Sequence, residues 1–122
     1  MTMPETLLAF PESIACYEEV CARIRAAFPD AALKVSRTQA AFTHGVQFAW
    51  LSAPRRKADS GCVILSLSLP EQVRSPRVFA CVEPYPGRFM HHMLLPSPAA
   101  LDPECLGWLS RAWDFAGRRG SP

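Results

Sequence analysis

The chain has 122 residues, of which 49% are hydrophobic and 20% charged, with a formal net charge of +2. That length predicts one domain with a single core and an ordinary globular composition. A net charge this small gives no argument for nucleic acid or an anionic bilayer as a partner.

Cys16, Cys21, Cys62, Cys81 and Cys105 show no CxxC spacing and sit inside apolar patterns. They read as buried small hydrophobes of a cytoplasmic protein rather than as a disulfide framework. The opening residues lack a charged leader with a long apolar region. No apolar run approaches the ~20 residues that span a bilayer, so no membrane partner is expected.

Residues 1–10 read as an arm, extended or helical, that packs through Leu7, Leu8 and Phe10. The domain is expected over 11–117, with 118–122 a fraying tail. Pro11 suits a first helical position, where its missing N–H had no partner to lose, and Glu12 faces the positive helix end. Ile14, Tyr17, Cys21, Ile24 and Phe28 then recur at steps of three and four. This is one apolar helical stripe, and Pro29-Asp30 ends it.

Leu33 to Ser52 reads as a hairpin turning at Thr43-His44-Gly45. Pro54 to Ser60 is a basic, exposed connection. Val63, Leu65, Leu67 and Leu69 alternate with Ile64, Ser66 and Ser68, as in a half-buried antiparallel strand. Arg77 to Val82 is apolar on both faces, which predicts a central strand, and Glu83 to Gly87 predicts a turn. The next strand puts Phe89, His91, Met93 and Leu95 on one face and Arg88, Met90, His92 and Leu94 on the other. Asp102 as N-cap with Pro103 and Glu104 starts a last helix, with Gly117 as its stop.

The expected fold is therefore α+β. It is a two-layer sandwich in which an antiparallel five-stranded sheet carries the N- and C-terminal helices on one face. The other sheet face is either solvated or a binding surface.

Chemistry is sparsely marked. Adjacent strand residues point to opposite faces, so His91 and His92 cannot share a metal. His91 falls on the apolar face as a hydrogen-bonded core residue, and His92 shares its face with Arg88. The cysteines and histidines do not form the two spaced pairs of a zinc site, and no phosphate-binding glycine loop or GxSxG motif is present. No metal or cofactor is expected, and no catalytic constellation can be read.

Lys34, Arg37, Arg55, Arg56, Lys57, Arg74, Arg77 and Arg88 lie on or beside the sheet. Acidic residues are nearly as numerous, so nucleic acid is disfavoured. Two readings follow. One is a binding module for an anionic small molecule, a nucleotide or an acidic partner, using Arg37, Trp50, Arg88 and His92, with Trp50 as a stacking platform. The other is a self-association or protein-interaction domain using the strand face around Met90 and Leu94, so that monomer and homodimer are both open.

The chain also resembles an uncharacterised bacterial family, the domain of unknown function numbered 5655. The residues that carry the resemblance are Lys34 through Gln39 leading to Phe42, Phe48-Ala49, the Val63-to-Leu69 strand, Arg88 through His92, and Leu101 through Trp113. The resemblance implies no activity. Its order of elements is similar to that of frataxin-like domains and some small DNA-binding-like families, which is a warrant for fold and not for function. The acidic ridge used in frataxin-like iron handling is replaced here by Glu12, Glu18 and Glu19 mixed with Arg23 and Arg25.

Overall fold

A computed structural model describes residues 2–119. The arm forms a short 3-10 helix over Glu5–Ala9 whose Leu7 is fully buried. After a 3-10 turn at Pro11–Ser13, helix α1 spans Ile14–Ala27. Its buried face is Cys16, Tyr17, Val20, Cys21 and Ile24, close to the stripe the spacing predicts.

The strands are β1 (Ala32–Val35), β2 (Ala40–His44), β3 (Val46–Ser52), β4 (Val63–Leu69), β5 (Val78–Tyr85) and β6 (Arg88–Leu95). They form one antiparallel sheet of six strands in the order β1-β2-β3-β4-β6-β5. Helix α2 covers Pro103–Arg119.

The sheet thus has six strands where the sequence predicts five. The expected first hairpin arm is broken in two at Ser36. Its N–H donates to the Gln39 carbonyl at 2.8 Å, and its hydroxyl donates to that carbonyl at 3.1 Å and accepts the Gln39 N–H at 3.3 Å. A serine that bonds its own backbone three residues on turns the chain, so β1 folds back on β2.

β5 also departs from expectation, since it is the sheet edge and not a central strand. Phe79, Val82 and Tyr85 are exposed on it. An edge strand tolerates Pro84, which has no N–H to give a ladder. The strand therefore runs through Glu83-Pro84-Tyr85, and only Pro86-Gly87 turns. β4 is buried on both faces, not one, because Trp50, His92 and Met90 on the flanking strands stand beside the small Ser66 and Ser68.

A bulge between Phe42 and Thr43 leaves Phe48 as an extra residue on β3. Phe48 consequently joins Ala49 and Leu51 in the core, while Trp50 faces the other way.

One apolar cluster joins Tyr17, Val20 and Ile24 of α1, Leu109 and Ala112 of α2, and Val63, Leu65, Leu67 and Leu69 of β4. Phe28, at the end of α1, stacks on Trp113 of α2 at 5.5 Å, and both meet Phe48 of β3 edge-on. α2 runs through Gly117 to Arg119 instead of stopping at Gly117. Gly117 has no positive φ. A Cβ there would lie 2.9 Å from His44 Nε2, so this glycine makes room for a ring. Residues 120–122 of the expected tail lie outside the described residues.

Candidate functional site

On the sheet face away from the helices, Trp50, Ser66 and His92 lie in register across β3, β4 and β6, and the row continues to Ala80 on β5. Ser66 is buried because a large ring stands on each side of it. Its Oγ is 2.7 Å from His92 Nδ1. Trp50 is only 6% exposed, and its Nε1 donates to Gln47 Oε1 at 3.0 Å. It acts as a wall of the row rather than as a bare platform.

Burial holds the His92 pKa below its ordinary 6.5, with the Arg55 cation and His91 adding to the effect. The neutral imidazole is therefore the resident form at pH 7.

Arg88 lies on the same strand face four residues before His92, about 13 Å along β6. Its Nε donates to Ser68 Oγ at 3.1 Å, and its guanidinium sits 5.5 Å from the Tyr85 ring. Burial, and then Arg119, pushes its pKa below the ordinary arginine value.

Arg37 stands apart from these residues. It lies in the β1–β2 turn, where its Nε meets Glu5 Oε2 at 3.1 Å, four strand spacings or about 19 Å from β6. It is also at the opposite end of the strands from Arg88. The sheet brings together Trp50 and His92 through Ser66, with Arg88 further along the same face, but not Arg37.

Beside His92 is a hollow of about 400 Å³ lined by Arg55, Arg56, Asp59, Ile64, Phe79 and Leu94. Ile64 and Leu94 are cross-strand partners on β4 and β6 and form an apolar floor. Phe79 reaches this face because the β5 register shifts between Val78 and Ala80. Phe79 is 49% exposed, and its ring lies 6.2 Å from that of His92.

Across the rim, Arg56 holds Asp59 with two hydrogen bonds of 3.1 and 3.3 Å. Arg55 has no such carboxylate among the described residues, and its charge is felt by His92. In sequence Arg55 is one of eight basic residues on or beside the sheet, and nothing in the run Arg55-Arg56-Lys57 marks which cation stays unpaired. Phe79 carries no mark in sequence either, since a bulge leaves no periodic trace.

His91 faces the other way and is fully buried. Its Nε2 accepts the Val73 N–H at 2.9 Å, which leaves the proton on Nδ1 to be donated to the Phe89 carbonyl at 3.1 Å. Both ring nitrogens are thus used for structure.

The Ser66–His92 spacing would suit a nucleophile and base. However, no carboxylate orients His92 among the described residues, and Arg55 opposes the imidazolium that general-base work would create. The pair therefore serves as a hydrogen bond that fixes the ring. Among the described residues no group of three or more His, Cys, Asp or Glu could hold a metal ion. No helix there is long and apolar enough to cross a membrane.

The model of a family described as Domain of unknown function (DUF5655) matches residues 6–116. The chain belongs to this family. The match takes in both helices up to Ala116, all six strands and every residue of the hollow. No curated protein and no solved structure matches the chain.

Proposed function

We propose that this DUF5655 domain is a binding module that takes a small anionic ligand on the sheet face opposite the helices. The observation that carries the reading is Arg55, a guanidinium without a carboxylate partner among the described residues, at the rim of an apolar hollow of about 400 Å³. That volume is at the small end of the roughly 300–1,000 Å³ of ligand pockets. Neutral His92 supports the Phe79 wall, and the Ser66 bond fixes its ring. Arg88 is a second cation further along the same face, and Trp50 fixes the far side of the row. Arg37, paired with Glu5 and distant from the hollow, has no part in this site. The free thiols of all five cysteines support a cytoplasmic setting.

The test is a thermal-shift series with inorganic phosphate, adenosine monophosphate and small carboxylates on wild type and Arg55→Gln. A ligand that binds only the folded state raises the melting temperature by mass action. At least one anion is expected to raise it in wild type and not in R55Q. A series without any rise, or with equal rises in both proteins, overturns the reading.

A second reading, self-association, has its own support in the exposed Phe79, Val82 and Tyr85 of edge strand β5. Pro84 and two register shifts interrupt that edge, devices that discourage strand-to-strand pairing. Light scattering at high concentration tests this reading, and a clean monomer sinks it.

A further inference from the structure

We infer that the ligand of the hollow is a monocarboxylate carried on a single aromatic ring or a short aliphatic chain. This rests on the anion-site reading above and names the chemistry that fits it.

The charge of the rim sets the valence. Arg56 and Asp59 satisfy each other through two hydrogen bonds, so the lining presents one uncommitted positive group, Arg55. A guanidinium matches a planar carboxylate with two parallel N–H donors. A phosphate dianion asks for more, either a second free cation or a cradle of backbone N–H groups at a helix start. Neither is among the lining residues, and the Asp59 carboxylate on the same rim repels added negative charge.

The body of the ligand is set by the remaining walls. Ile64 and Leu94 offer only hydrocarbon, and Phe79 offers a half-exposed ring on which a flat or slender apolar group can lie. A nucleotide would bring a polar sugar and base into a lining that has no uncommitted polar side chain besides Arg55. An apolar body would instead remove the exposed part of Phe79 and Leu94 from water. The ligand therefore has one charged end and one greasy end, each facing its complement.

The experiment follows the methyl signals of Ile64 and Leu94 by NMR during titration. The probes are 3-phenylpropionate, hexanoate, 3-phenylpropanamide, inorganic phosphate and adenosine monophosphate. The two carboxylates are expected to shift both methyl groups saturably. The neutral amide is expected to bind at least about tenfold more weakly, the scale of one charge-assisted hydrogen-bond pair. Arg55→Gln should weaken the carboxylates by a similar factor, and Arg55→Lys should retain part of the affinity. Arg55 is exposed, so both variants should fold, which their circular dichroism spectra check.

Amide and carboxylate binding equally overturns the inference. Phosphate or adenosine monophosphate shifting these methyls while the carboxylates do not overturns the ligand class but leaves the anion site standing. Silence from every anion removes both.

Discussion

Arg77 and Asp102 tie the start of β5 to the start of α2. Arg77 Nη1 stands 2.9 Å from Asp102 Oδ1, and that same oxygen accepts the Cys105 N–H at 3.0 Å as the helix N-cap. Arg77 also reaches Glu104 and the Ala100 carbonyl. The Arg77 bond, followed by the Cys105 N–H, holds the Asp102 pKa below its ordinary 3.8. One carboxylate thus both starts a helix and fastens an edge strand.

Replacing that carboxylate separates its two roles. Asn caps a helix about as well as Asp but carries no charge. Asp102→Asn should therefore lower the melting temperature less than Asp102→Ala, which loses cap and ion pair together. Equal losses in a thermal melt would show that the cap contributes nothing here.

Stability should fall as pH drops below neutrality. Burial is the main cause that depresses both His91 and His92 below 6.5, so the unfolded chain binds more protons than the fold once pH approaches that value. The contribution is complete above 6.5 and is lost as pH falls through the unfolded value toward the folded one. Protonating His91 also removes the acceptor for the Val73 N–H. Urea melts from pH 7.5 to 5 should give a falling free energy, and His91→Gln should flatten the slope while lowering stability at pH 7.5. An unchanged slope in that variant assigns the effect to other groups.

The two sheet faces should respond differently to truncation. Leu65 is fully buried in the shared core, and Leu65→Ala should cost about 2–5 kcal/mol. Leu94 is partly exposed on the other face, so Leu94→Ala should cost about 1 kcal/mol. Denaturant melts decide, and similar losses would contradict the two-sided assignment of β4 and β6.

Two glycines of α2 should move stability in opposite directions. A Cβ on Gly107 would meet nothing within 4 Å, so Gly107→Ala should stabilise by roughly 0.5–1 kcal/mol through helix propensity. Gly117→Ala would press on His44, which stacks on Trp113 with ring centroids 3.6 Å apart. It should destabilise and quench or shift the Trp113 fluorescence. A stabilising Gly117→Ala would mean that the ring yields freely.

Much of the fold is legible along the chain because it is local. The three-and-four spacing from Ile14 to Phe28, the alternation from Val63 to Leu69 and the Asp102-Pro103-Glu104 start are set by backbone geometry within a few residues. The opposite facing of His91 and His92 follows from the two-residue period of a strand. The family, too, is carried by the sequence, over residues 6–116.

Other features depend on partners distant in sequence, and only the assembled sheet decides them. β4 pairs with β6 and not with the next strand in sequence, and this moves the apolar β5 to the edge. A bulge opposite Phe42 turns Phe48 into the core and leaves Trp50 on the other side. The same kind of shift places Phe79 beside His92, and Asp59 selects Arg56 and leaves Arg55 uncommitted. Periodicity records which residues share a face of their own strand. Strand order, bulges and ion-pair choice are settled by contacts between strands and loops, so the candidate site became visible only in three dimensions.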